Sequence, residues 1–391
     1  MISRGDYEAA AVARVEAVLG RRGFDRDRRR LNAEELLREI NPAEREVLQT
    51  LGPGRRERLR AAAYLLRGTA LSLNRTDKRR TQYLRVAAEL FENLAEEGPE
   101  PQDSPMIFQA LSQAAACWSL AGFQANAVVM GDRLRRRFRE FDVLTPGLEV
   151  GALGPLDFYA VAAGILERDL RRLQRLVALR EGFLADVETV ALARASEGLT
   201  TVDLIEILSL AELLEGVVQA LRFWSEGNER AAADAEIHFA EAERLTIAAG
   251  TPDTWLIVNS AREIFAESTK VSTWRTFRRH VDHWSPLWRR YLRALAAQPQ
   301  PVVELWPSQR LALEAGLLDE GRPALVVRTP TSSGKTRMAE AAILERNQPR
   351  SRRCLLCLYR SFPGAGRGGG GWTRRHARRP WDSCLVLVRR L

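Results

Sequence analysis

Lysine is almost missing from this chain: among 59 basic residues only Lys78, Lys270 and Lys335 are lysines. Arginine supplies the rest, as a GC-rich coding sequence favours, and each lysine becomes conspicuous. Long apolar runs are missing too. No stretch approaches the ~18 residues that a membrane span requires, and the opening MISRGDYEAAAVARVEAVLG places charges inside its apolar positions, unlike a secretory leader. A cytoplasmic protein that does not engage membranes is the expectation. Cysteine is scarce: four residues, three of them in the last forty, with no spaced framework. That excludes a disulfide-stapled secreted fold and predicts reduced thiols.

Acidic charge is lacking only at one end. The formal +9 resides in residues 351–391, where ten arginines face one aspartate, so residues 1–350 are neutral overall. Basicity therefore says little about what the folded part binds. With 46% hydrophobic residues, 391 residues suffice for two or three globular domains.

Strand alternation is absent between about residues 6 and 296. In its place apolar residues recur at i, i+3, i+4 and i+7, in LRAAAYLLRGTALSL, YLRVAAELFENLAEE and VDLIEILSLAELLEGVVQALRFW, which is the period of amphipathic helices. Breaks are predicted at Asn41 and Pro42, from Gly52 to Gly54, from Gly98 to Pro105, from Pro146 to Pro155 and from Gly250 to Pro252. The fold class expected is a mainly α N-terminal region over 1–297, bundle or helical-repeat-like, followed by the start of an α/β P-loop NTPase domain of RecA-like type. Within the helical region ACWSLAGFQANAVVMGDRL resembles one tetratricopeptide-type helix pair through Trp118, Leu120, Gly122 and Ala127. No 34-residue period is sustained around it.

The helical pattern stops at AQPQP, residues 297–301. Beyond it the spacing predicts a helix over 304–318, a short strand over 324–327 and a helix over 335–346, the opening of an α/β domain spanning 302–359. ALVVRTPTSSGKTRMAEAAIL sets an apolar strand before, and a helix after, the run Thr329, Pro330, Thr331, Ser332, Ser333, Gly334, Lys335, Thr336. That is the context of a phosphate-binding loop. Backbone N–H groups of Ser332, Ser333, Gly334 and Lys335 can cradle a β-phosphate at the helix N-terminus. Gly334 lets the backbone approach closely, Lys335 reaches the β- and γ-phosphates, and the Thr336 hydroxyl holds Mg²⁺. ATP with Mg²⁺ is the expected cofactor.

The run begins with Thr329 and continues Pro330-Thr331, where a generic phosphate loop begins with glycine. This departure resembles motif I of superfamily 2, DEAD/DEAH-box-like helicases. Upstream, ELWPSQRLALEAGLL resembles their Q-motif segment, in which a glutamine roughly twenty-five residues before the loop lysine reads adenine. The resemblance, over about 302–359, implies that role for Gln309, whose carboxamide both donates and accepts, with Trp306 flanking the base. The alternative is a solvent-facing Gln309 and a core Trp306. The resemblance also implies DNA or RNA as a partner of the intact parent, with ATP-dependent unwinding or remodelling as its activity. The rival is a helical scaffold with protein partners and a vestigial, inactive motor.

A working motor of this kind needs a DExx carboxylate motif, a coupling motif and a second RecA-like domain, and these 391 residues contain none of them. After Cys357, Leu358 and Tyr359 comes RSFPGAGRGGGGWTRRHARRPWDSC, which has no periodicity. One extra C after the Tyr359 codon lets the shifted frame read LYVAFRALAGEVE, and the closing residues back-translate to a segment ending SSSYGDY. Both strings resemble the motif Ia region and its continuation. Residues 360–391 are therefore expected to be an out-of-frame, disordered tail on a truncated helicase.

Four further patterns invite a role. Arginines and aromatics interleave in STWRTFRRHVDHWSPLWRRYLRAL, residues 272–295; this suits stacking on single-stranded nucleic acid, or else one packed face of Trp274, Phe277, Trp284, Trp288 and Tyr291 with solvated arginines. His280 and His283 lack a third ligand nearby and read as surface histidines. Cys354 and Cys357 read as core cysteines. The clusters Arg133 to Arg139 and Arg168 to Arg175 read as solvated helix faces.

Overall fold

The computed structural model describes residues 4–21, 53–74, 76–95, 104–140, 155–189, 200–281, 284–319, 324–330, 334–346 and 382–388, together with a few single positions near 23–29 and 198. Helices dominate. They are α1 (Arg4–Leu19), α2 (Pro53–Ser72), α3 (Lys78–Ala95), α4 (Ser104–Leu120), α5 (Gln124–Glu140), α6 (Pro155–Glu167), α7 (Leu170–Leu179), α8 (Glu181–Ala185), α9 (Thr201–Glu226), α10 (Glu229–Ala249), α11 (Pro252–Lys270), α12 (Thr273–His280), α13 (Pro286–Ala296), α14 (Pro307–Glu314) and α15 (Lys335–Arg346). Two strands join them, β1 (Ala324–Pro330) and β2 (Asp382–Val388). Proline opens α2, α6, α11, α13 and α14, where its fixed φ and missing N–H cost nothing. Among the described residues no helix is long and apolar enough to cross a membrane.

The chain divides into two units. One holds residues 1–221 and 230–267, the other residues 222–229 and 268–391. The division thus falls at residues 267 and 268, about thirty residues before the proline-rich joint expected to mark it.

In the first unit α2, α3, α4 and α5 each pack on the next. The α4–α5 pair contains the tetratricopeptide-like residues, with Trp118 edge-on to Phe123 at a centroid distance of 5.4 Å. Small side chains let the helices approach: Ala62, Ala63, Ala87, Ala88, Ala114, Ala115 and Ala116 are all buried. One buried group is a cation. Arg67 of α2, 1% exposed, donates from Nη2 to Asn259 Oδ1 and Ser260 Oγ of α11, both at 2.9 Å. The second arginine cluster is only partly a solvated face. Arg172 is buried, and Arg168, at φ 54°, turns its guanidinium back onto the carbonyls of Ile165 and Leu166 at 2.7 and 3.0 Å. It satisfies the open end of α6, as a cationic side chain can at a helix C-terminus.

The second unit is built on aromatics. Trp274, Phe277, Trp288, Leu292, Leu305, Leu313, Leu317, Met338, Ala341 and Ala342 share one apolar cluster. The interleaved arginine and aromatic stretch is therefore a packed face, and Trp274, Phe277 and Trp288 have no face left for a base to stack on. A single bridge between Ser272 and Glu304, flanked by Thr273 N–H to Val303 O at 2.9 Å and Leu305 N–H to Val271 O at 3.0 Å, seats the segment before α14 against the start of α12. The expected strand is longer than its apolar run, reaching Pro330, and the helix over 304–318 shrinks to Pro307–Glu314 because Pro307 sets its first turn.

β1 pairs antiparallel with β2, from Ala324 opposite Val388 to Pro330 opposite Asp382. A parallel RecA-like layer is absent among the described residues, whose strands form this antiparallel pair alone. β2 also falls in the tail expected to lack structure. Its sequence, DSCLVLV, is an apolar and β-branched run of strand length, and β1 presents unpaired backbone groups for it to satisfy. Residues 360–381 and 389–391, like Cys354, Cys357 and His283, lie outside the described residues.

Candidate nucleotide-binding site

The run expected to hold phosphate leaves the end of β1 and enters α15. Thr329 and Pro330 are the last residues of the strand, and Lys335 is the first of the helix. Thr331, Ser332 and Ser333 lie outside the described residues. Gly334 is the hinge into α15: its φ is +75°, a backbone conformation that side chains disfavour, and its carbonyl accepts from Arg337 N–H at 3.0 Å. Lys335 is half-buried and Thr336 exposed. The N-terminal amides of a helix carry partial positive charge and lack intrahelical partners, so a phosphate at this end meets donors, a lysine and a hydroxyl together.

Gln309 is the least expected feature of the site. It is buried, 5% exposed, while Trp306 is 38% exposed, the reverse of a solvent-facing glutamine beside a core tryptophan. Its Oε1 accepts from Trp306 N–H at 2.9 Å, securing the first turn of α14, and its Nε2 donates to Gly334 O at 3.3 Å. The contact is so close that a Cβ on Gly334 would lie 1.9 Å from Gln309 Nε2. A carboxamide has two lone pairs on oxygen and two N–H donors. Each end of Gln309 thus keeps one valence after these bonds.

Behind the loop, α15 is held by residues that lie outside the family resemblance. Trp288 donates from Nε1 to Glu345 Oε2 at 2.7 Å, Tyr291 donates its hydroxyl to Glu340 Oε2 at 3.1 Å, and Arg337 donates from Nη2 to Gln298 Oε1 at 2.6 Å. Arg337 also pairs with Glu340 at 2.8 Å. Burial first, then the Glu340 charge, push the Tyr291 hydroxyl well above the ordinary tyrosine range, so it stays a donor. The sequence placed Trp288 and Tyr291 on a packed face, but gave no signal for the bonds to Glu345 and Glu340 or for the pairing of Gln298 with Arg337.

No family model and no curated protein matches the chain significantly. What the site can do is argued from its own residues. Among the described residues no cluster of His, Cys, Asp or Glu could hold a metal by itself. A cation here would need the nucleotide phosphates as ligands, which is how Mg²⁺ is usually held beside ATP.

Proposed function

We propose that residues 302–359 are the opening of the ATP-binding domain of a superfamily 2, DEAD/DEAH-box-like helicase, preceded by a helical accessory region. The observation that carries this reading is the hydrogen bond from Gln309 Nε2 to Gly334 O at 3.3 Å across 25 residues. It brings the glutamine and the phosphate-loop glycine, the two parts of the resemblance, to one place. A solvated glutamine beside a chance Gly-Lys-Thr would give no such contact.

In this reading the amides leading into α15 hold the phosphates, Lys335 supplies the charge that follows the γ-phosphate, and Thr336 binds Mg²⁺ through its hydroxyl. Gln309 uses its remaining lone pair and N–H on the adenine edge, with Trp306 exposed beside it. The intact parent would unwind or remodel DNA or RNA. Residues 1–391 lack the carboxylates that orient water and Mg²⁺, so they bind ATP without steady turnover. The second reading is a helical protein-interaction scaffold with a vestigial motor that does not turn over ATP; loss of nucleotide binding would be its sign.

Titration of residues 1–391 with a fluorescent ATP analogue and Mg²⁺ separates the two. Lys335→Ala is expected to weaken binding at least about tenfold, the scale of one lost charge-assisted contact. Gln309→Ala should narrow the preference for ATP over GTP by ~1–3 kcal/mol, the cost of unmade hydrogen bonds. No saturable binding, or binding indifferent to Lys335→Ala, would leave the scaffold reading. Nucleic-acid-stimulated phosphate release by the 391-residue protein would contradict the inactivity.

A further inference from the structure

A phosphate loop works only if the helix behind it is aimed. Lys335 and the first amides of α15 move as one body with that helix, and an error of about 1 Å in a binding group can cost a hundredfold. α15 meets its neighbours partly through apolar residues: Met338, Ala339, Ala341 and Ala342. Small and flexible side chains of this kind give adhesion but little direction, because a smooth apolar face tolerates sliding and rotation.

Direction comes from polar contacts with α13 and the residues just after it. Glu345 is 2% exposed and accepts from Trp288 Nε1, itself 0% exposed. An ionisable group buried this deeply is costly, and an apolar residue at 345 would suit the cluster better if adhesion were all that mattered. The indole N–H offers one donor on one vector, which fixes the last turn of α15. Tyr291 to Glu340 fixes the middle, and Gln298 to Arg337 fixes the first turn, two residues from Lys335. The three contacts span residues 337–345, about 12 Å along the axis at ~1.5 Å per residue. Two or more fixed points on a rigid helix set both its rotation and its axial position.

We propose that Trp288, Tyr291 and Gln298 are positioning residues of the nucleotide site, setting the aim of Lys335 and of the α15 N-terminus through Glu345, Glu340 and Arg337. The inference rests on the ATP-binding reading of that site. It makes residues 273–298 part of the nucleotide-binding unit, although no P-loop or Q-motif residue lies among them.

The test breaks the polar contacts from both sides, the donors in one variant and the acceptor in another. The double variant Trp288→Phe, Tyr291→Phe removes both donors, keeping the Tyr291 ring but trimming the buried Trp288 indole to a single ring; Glu345→Leu leaves both aromatics intact and preserves bulk without an acceptor; Glu345→Gln restores an acceptor. Each is titrated in the full chain with a fluorescent ATP analogue and Mg²⁺, and hydrogen exchange of residues 334–346 is followed without nucleotide. The double variant and Glu345→Leu are expected to bind about tenfold more weakly, with faster exchange in α15 and unchanged exchange in the first unit. Glu345→Gln should stay within about threefold of the parent. If the double variant binds as tightly as the parent, or if Glu345→Gln is as weak as Glu345→Leu, the positioning role is overturned while ATP binding stands. If the parent chain binds no ATP, both ideas fall, and the exchange data still report whether the three contacts hold α15.

Discussion

The two units bury polar groups differently. In the first, the Arg67 guanidinium sits among neutral partners, and its Nε has no hydrogen-bond partner. Burial lowers its pKa from the ordinary arginine value, against the weaker pull of Cys117, Glu263 and other neighbours. In the second, each buried indole N–H finds an acceptor: Trp224 with Ser268 Oγ at 3.3 Å, Trp274 with Trp224 O at 3.0 Å and Trp288 with Glu345 Oε2 at 2.7 Å. Indoles of the first unit are satisfied as well, Trp118 by Glu92 Oε2 and Trp255 by Glu243 Oε1, both at 3.1 Å, so the difference lies in the buried cation, whose Nε is left without a partner. An alanine-rich helical stack tolerates an imperfect polar core, because close backbone approach already fixes its helices.

The strongest way to break this contrast is through Trp274. Trp274→Ala should cost ~3–5 kcal/mol through the cavity it leaves, and the loss should be confined to the second unit. Hydrogen exchange would then rise in 222–229 and 268–319 with the first unit still protected; equal loss in both would mean that they unfold together. Gly227→Ala attacks the same indole from the other side. Gly227 has φ +70°, and a Cβ there would lie 2.4 Å from the Trp274 ring, so about 2–3 kcal/mol of destabilisation is expected in a urea titration.

Arg67 sharpens the contrast with a smaller effect. Arg67→Met fills much of the same volume and removes a desolvated charge, while Asn259 Oδ1 loses a donor; the two terms should nearly cancel, leaving a change below ~1 kcal/mol. Arg67→Ala leaves a cavity as well and should cost ~2–4 kcal/mol. Similar losses for the two variants would show that the cation itself holds the first unit together.

How far these features were legible depends on the range of the interaction. Helix starts at Pro53, Pro155 and Pro252 and the α15 bounds were readable, because proline geometry and apolar period act within a few residues. Trp306 and Gln309 could be named from the resemblance, but which of the two is buried depends on Gly334, far along the chain. Glu345 and Arg67 were illegible: a charged residue on a helix ordinarily reads as solvated, and only partners 57 and 192 residues away reveal otherwise. The packing of α13 on α15 was hidden for the same reason. β2 was missed because its tail lacks any period in the residues before it.

The smallest effect concerns the start of α9. Thr200 N–H and Oγ donate to Asp203 Oδ2 at 2.8 and 2.6 Å, and Asp203 N–H returns to Thr200 Oγ at 3.3 Å, a reciprocal cap. These bonds hold the Asp203 carboxyl below its ordinary pKa. Since the folded pKa is depressed, the stabilisation is present above the unfolded pKa and is lost as pH falls through the folded value. Exchange of the first α9 amides should therefore quicken only in acid below the usual carboxylate range, and Asp203→Ala should quicken it at neutral pH. A neutral-pH rate unchanged by that substitution would remove the cap from the account.

Gly334 and Gln309 cannot vary independently. With the carboxamide in place, any side chain at 334 collides with Gln309 Nε2; with Gln309 shortened to alanine, the collision disappears and only the backbone preference against φ +75° remains, ~1 kcal/mol. The harm done by a substitution at one position is thus conditional on the residue at the other. Because Nε2 is the far end of a flexible side chain, a chain that keeps Gln309 can lose Gly334 only by swinging that carboxamide aside and giving up its bond to the carbonyl of residue 334.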